Sequence, residues 1–282
     1  MARKQRTDAE KIGNALVRGA ERGRVNGSVA AYVAKFKGGP EEVTANANVG
    51  RVLATLEESR KLHQLGLLNI ELGRKDEAKR CARKLEKDGE YSSAVEIFIK
   101  IEDVKGVERC AEGLRAQGYH REAGDALRDV GNPLEAADCY LEGARKSQEL
   151  GLGGEAQVDL YYDAADIYTG LGLDVTAAEI AEELVKLGEF KTAGIIFTEI
   201  KRYEEAGECL SRGIDLASAA ENFLVAGRRG DARECAEGLE REGDFLGAAH
   251  IYENLGDKEK QFDALVLGGN IDRALEVKLP RL

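Results

Sequence analysis

The sequence predicts an all-α fold, an alpha-solenoid of short antiparallel helix pairs preceded by an N-terminal helical segment. Three observations predict it. A short box recurs about fourteen times from Gly73 onward, which is the signature of stacked helical units. Glycine recurs at one fixed place in the box, where a helix would close. No stretch shows the alternation of a strand, and only three prolines interrupt 282 residues.

The box reads Gly, four residues, Ala, two residues, then an apolar residue. Its small residue falls at Ala78, Ala94, Val107, Ala123, Ala136, Ala164, Ala177, Ala193, Ala206, Ala219, Ala232, Ala248, Gln261 and Ala274. Apart from one interval of 28, every spacing is 13 or 16. Glycine stands five before the box residue in ten cases, among them Gly73, Gly118, Gly188 and Gly243. Glycine tolerates positive φ and so ends the preceding helix. An acid or amide often follows, as at Gly89-Glu90, Gly131-Asn132, Gly188-Glu189, Gly243-Asp244 and Gly256-Asp257. These residues suit a helix start, where they cap amides and face the positive end of the dipole.

The position three after the box residue is apolar or Cys in every unit but one, so it is expected to be buried; the exception is Asn222. One residue further on, the helices split. Ala82, Ala111, Ala181 and Ala236 are small and are each followed three later by Leu. Most others carry a bulky residue such as Phe98, Tyr140, Phe197, Phe223 or Tyr252. Small faces opposite large ones interdigitate. The Ala-type units precede the 16-residue spacing, so their helices are expected to be one turn longer. A 13-residue unit leaves about nine or ten helical residues, marginal alone in water, so each helix depends on its neighbours. Aromatics lead several units at Tyr91, Tyr119, Phe190, Tyr203 and Phe245; they are expected to staple each helix to the previous one.

Three parts follow: a basic N-terminal helical segment over 1–72, a first array over 73–150 and a second over 151–282. In the first, 8–23 reads as an amphipathic helix with Ile12, Ala15, Leu16 and Ala20 on one stripe. Ser28 caps a second, aligning Val29, Tyr32, Val33 and Phe36. Gly38-Gly39-Pro40 is a break. A third helical stretch runs from about Glu42 to Leu72, with a turn expected at Gly66.

Units such as Ala248-Ala-His-Ile-Tyr252 before Gly256-Asp257, and Ala136-Ala-Asp-Cys-Tyr140, resemble tetratricopeptide-like helical repeats. A pair here takes 26 or 29 residues, shorter than the regular 34-residue repeat. In this it is similar to the hairpins of soluble NSF attachment proteins and of vesicle-coat and intraflagellar-transport solenoids. The resemblance covers about 73–279. It implies a right-handed solenoid and a non-enzymatic adaptor, and it carries over no catalytic residue.

Composition sets further bounds. With 43% hydrophobic and 33% charged residues, a folded soluble chain is expected. No apolar run approaches the roughly 20 residues needed to span a bilayer. The first residues lack the apolar stretch of a secretory signal, so a cytoplasmic location is expected. Cys81, Cys110, Cys139, Cys209 and Cys235 share the buried repeat position and form no CxxC pair, which reads as packing rather than zinc ligation or disulfides. His63, His120 and His250 are scattered, and His250 is expected to face solvent. Glu182-Glu183 and Glu204-Glu205 read as outward, solvated acids. No catalytic constellation, nucleotide motif, cofactor or metal site is expected.

Charge is uneven. Residues 1–37 carry a net +6 and the remainder −17. Two functions follow. The first is a protein–protein interaction scaffold whose acidic body favours basic or helical partners. The alternative is an RNA- or ribosome-associated factor whose N-terminal Arg3, Lys4, Arg6, Arg18, Arg22 and Arg24 contact phosphates while the array docks on protein. A homodimer through the final helix, Ala274–Leu279, is a further alternative.

Overall fold

A computed structural model describes residues 14–19 and 40–278. Residues 14–19 are helical. Sixteen helices follow: α1 Pro40–Glu58, α2 Leu62–Glu71, α3 Lys75–Lys87, α4 Tyr91–Lys100, α5 Val104–Gln117, α6 His120–Asp129, α7 Pro133–Glu149, α8 Glu155–Gly170, α9 Asp174–Leu187, α10 Phe190–Glu199, α11 Tyr203–Arg212, α12 Leu216–Val225, α13 Arg229–Glu242, α14 Phe245–Leu255, α15 Lys258–Leu267 and α16 Ile271–Lys278. The described residues contain no strand. The helix expected from Ser28 lies outside them, as do Ile12 and Ala20.

Two compact units divide the chain, Met1–Cys139 and Tyr140–Leu282. Within each, helices pack on their successors, and even-numbered helices also touch across the intervening one: α2 with α4, α8 with α10, α12 with α14. The length rule holds. The Ala-type helices α3, α5, α9 and α13 have 13 or 14 residues, and α4, α6, α10, α11 and α12 have 10. The Leu residues that follow the small faces are buried: Leu85, Leu114, Leu184 and Leu239. All five cysteines are buried as well.

The chain closes each helix as the box predicts. All ten box glycines have φ between 71° and 89°. Four non-glycine residues share that conformation, Arg60, Glu102, Lys201 and Ile214, with φ of 53° to 63°. Glu102, Lys201 and Ile214 each stand five before a box residue whose unit lacks glycine, so the repeat imposes the turn where the residue type disfavours it. Arg60 stands five before Leu65, which marks a further unit upstream of Gly73.

That unit corrects one expectation. The break between α1 and α2 falls at 59–61, and Gly66 lies buried inside α2, where a Cβ would run into the Ile97 side chain. Gly194 and Gly207 hold the equivalent place, against Leu210 and Phe223. A small residue there signals close packing rather than a turn. Upstream, Val17 joins Val49, Val52, Leu56, Leu65 and Leu68 in one core cluster, and Arg51 donates to Asn14 Oδ1 at 3.1 Å.

Asn222, the polar residue in the buried row, is satisfied. Its amide donates to Ser218 O at 2.9 Å, and its Oδ1 lies 3.1 Å from the Thr198 hydroxyl of α10. Capping is sparser than expected. Asp244 and Asp257 accept from Gly247 N and Lys260 N, but Glu90 and Glu189 cap nothing. Asn132 instead donates to Glu108 at 2.9 Å. Among the leading aromatics, the Tyr91 ring lies on Gly113 of α5, Phe190 lies 3.9 Å beneath Arg212 of α11, and Tyr119 is exposed.

Candidate functional site

Polar side-chain pairs join successive odd-numbered helices at three places. Lys79 of α3 meets Asp103, the residue before α5, at 2.7 Å. Arg233 of α13 meets Asp257, the residue before α15, at 3.1 Å, and Glu108 and Asn132 occupy the same two positions. Each pair is 24 residues apart. Burial pushes the Asp103 carboxyl up, but the Lys79 ammonium outweighs it and holds the pKa below the usual carboxylate value.

Between these joints, the odd-numbered helices line grooves. In the first unit, a groove of about 750 Å³ is lined by Arg83, Glu86, Lys87, Tyr91, Arg109, Glu112 and Gly113. Its floor exists because residue 113 is glycine: a Cβ there would enter the Tyr91 ring. A smaller groove of about 270 Å³ lies on the other side of α3, with Arg74, Arg80 and Lys84 among its walls. In the second unit, a groove of about 660 Å³ is lined by residues of α11, α12 and α13. There Gly238 takes the place of Gly113, and Leu216 the place of Tyr91.

Both grooves keep an engaged arginine. Arg109 holds Glu86 through two hydrogen bonds, 2.7 and 3.1 Å, so that carboxylate is fully occupied. Arg228 sits 4.8 Å over the Phe223 ring and pairs with Glu208 at 2.6 Å and Asp231 at 2.8 Å. The Arg228 contact holds the Asp231 carboxyl below its ordinary pKa.

The thiols facing this side are quiet. Burial pushes Cys110 up to about 12, and raises Cys81, Cys209 and Cys235 too. Among the described residues, no group of three or more His, Cys, Asp or Glu could hold a metal ion, and no helix is long and apolar enough to cross a membrane.

Of the residues singled out as phosphate contacts, Arg18 alone is described. It is exposed, and its Nε donates to Asn14 O at 3.3 Å. Arg3, Lys4, Arg6, Arg22 and Arg24 lie outside the described residues. His250 is exposed, as expected. The paired acids are only half solvated: Glu183 binds Arg145 at 2.7 Å and Glu205 binds Arg202 at 2.6 Å. In α16, Ala274 alone is buried, and Lys278 lies 4.4 Å over the Phe262 ring.

Sequence reasoning missed the grooves. Their signal was present: Gly113 and Gly238 both stand six after the box residue of an Ala-type helix, a position without a turn to explain the glycine.

The sequence model of the tetratricopeptide repeat family matches residues 62–87, which comprise α2 and α3. Among solved structures, the chain is similar to a Signal Transduction ATPase with Numerous Domains protein with a tetratricopeptide repeat sensor from Pyrococcus horikoshii. Identity is 16% and the TM-score 0.32, over 96% of this chain and 46% of that one. The chain thus spans under half the length of that protein. A second similar structure is the tetratricopeptide repeat domain of P58(IPK), at 13% identity and TM-score 0.24, over 98% of this chain and 100% of that one. No curated protein matches the sequence.

Proposed function

We propose that this chain, a tetratricopeptide-like helical-repeat protein by its family match and its successive packed helices, is a non-enzymatic scaffold that binds protein partners. Tetratricopeptide repeats in general mediate protein–protein interaction. The observation that carries the reading is the pair of equivalent grooves, each opened by a glycine at one register position and lined by charged side chains on rigid helices. Such a surface offers polypeptide-sized concavities and mixed polar contacts.

The test is affinity capture from lysate with the full chain, with and without nuclease. Protein retained after nuclease supports the scaffold. Val17 belongs to the core beside α1 and α2, so the basic N-terminal residues are tested by substitution rather than truncation. If Arg3, Lys4, Arg6, Arg18, Arg22 and Arg24 changed to Gln abolish capture, and nuclease does the same, the scaffold reading fails and the RNA- or ribosome-associated reading replaces it.

A further inference from the structure

The seven units of the odd-numbered helices, α3 to α15, can be compared at four register positions: two, five, six and nine after the box residue. Two after it stand Asp138, Glu179, Glu208, Glu234 and Asp263 in α7 to α15. Five after it stand Glu112, Glu182 and Glu237 in α5, α9 and α13. In α3 all four are cations: Arg80, Arg83, Lys84 and Lys87. No other odd-numbered helix among the described residues has this set. The reversal is local, because residues 140–282 carry 16 Lys or Arg against 29 Asp or Glu.

The four side chains are exposed and span about 10 Å along the helix. Arg80 is paired within its own helix, to Glu77 at 3.1 Å, and Lys84 is 4.0 Å from Glu57. Glu86 is taken up by Arg109. No carboxylate among the described residues lies within ion-pair distance of Arg83 or Lys87. Both line the groove of about 750 Å³, beside the Tyr91 ring.

We infer that this groove, over α3 to α5, docks an acidic segment of a partner protein, with Arg83 and Lys87 as the charge contacts and Tyr91 as the apolar one. This rests on the scaffold reading and narrows it: the acidic body as a whole favours basic partners, while this groove selects the opposite charge. Charge complementarity chooses the occupant. A nucleic acid fits less well, because the chain's net −11 repels a long polyanion that must run past the acidic remainder. A short acidic segment meets the local field without spanning the acidic remainder.

The experiment measures fluorescence anisotropy of the full chain with three labelled probes: a 12-residue peptide alternating Glu, Asp and Leu, its Lys/Arg counterpart, and a 12-nucleotide oligo-U. The acidic peptide is expected to bind, more weakly as salt rises, and Arg83→Glu with Lys87→Glu is expected to weaken it about tenfold or more. Both residues are exposed and lack an ion partner, so folding should be unaffected; circular dichroism checks this. Lys186→Glu with Lys258→Glu, exposed elsewhere, makes the same charge change and should leave binding within about twofold. Equal loss in both double variants overturns the site, because it reports net charge alone. No binding of the acidic peptide at millimolar protein overturns it too, as does oligo-U binding lost on the α3 substitutions. If lysate capture by the full chain succeeds and the α3 substitutions do not alter it, the scaffold stands and this groove assignment fails.

Discussion

The grooves over α3–α5 and α11–α13 share a register but not a chemistry. Each is floored by a glycine, Gly113 or Gly238, and each is entered by the first residue of the even-numbered helix between, Tyr91 or Leu216. The walls differ: Arg83 and Arg109 in one are Ser211 and Glu234 in the other. The backbone repeat therefore sets where a cavity forms, and the side chains at fixed offsets set what it attracts. Shape and specificity are written at separate positions of the same helix, so one can change without the other.

The largest expected effect tests whether the two grooves stand on equally firm cores. Phe98 and Phe223 are both buried, each with an arginine over its ring, but Phe223 also lines its groove. Phe98→Ala should cost about 3–5 kcal/mol in urea unfolding. Phe223→Ala should cost less, because Arg228 and water can fill the space; equal losses would show that the groove wall is as tightly packed as the core. Next come the floors. Gly113→Val and Gly238→Val should each cost about 1–3 kcal/mol from overpacking against Tyr91 and Leu216. Gly113→Val should also weaken acidic-peptide binding, while Gly238→Val leaves it unchanged.

Smaller and opposite in sign is Ile214→Gly. Ile214 is 74% exposed, β-branched and held at φ 61°, so glycine should stabilise the second unit by about 1 kcal/mol. Glu102→Gly is the counterpart in the first unit, and an unchanged urea midpoint in both would show that the neighbouring contacts have relaxed the strain. The joints come last. Asp103 and Asp215 have pKa values held below the ordinary carboxylate value: burial alone would raise them, but Lys79, and Ser218 with Lys191, outweigh it. Their contribution is fully present above about pH 4 and is lost as pH falls through the lowered values. Asp103→Asn should cost about 0.5–1 kcal/mol at neutral pH and flatten the loss below pH 4; an unaltered acid profile would rule the joint out as a source of stability.

Much of the fold was legible because a left-handed turn leaves a residue-type mark. Gly at the fixed offset located ten helix ends, and the alternation of small and bulky residues gave the two helix lengths. The unit at Leu65 was hidden because its turn residue is Arg60 and its box residue is Leu. Gly66 was misread because a small residue serves both tight turns and close approach, and only the partner, Ile97, distinguishes them. The grooves were harder. The cations of α3 are interleaved with Asp76, Glu77 and Glu86, so a running charge count averages them away. They separate only when charge is tallied by repeat position. The contact of Tyr91 with α5 was not encoded in spacing at all: in sequence Tyr91 is closer to α3 than to α5.

The joints between odd-numbered helices have one more consequence. Lys79 with Asp103, Glu108 with Asn132, and Arg233 with Asp257 give three of the six junctions from α3 to α15 a label of their own. A chain of near-identical modules risks joining the wrong neighbours, within one molecule or between two. Attaching α5 to the start of α15 would set Glu108 against Asp257. Attaching α13 to the start of α11 would set Arg233 against Arg202. Weak as each contact is, it makes these wrong neighbours repulsive and so disfavours them against the native order.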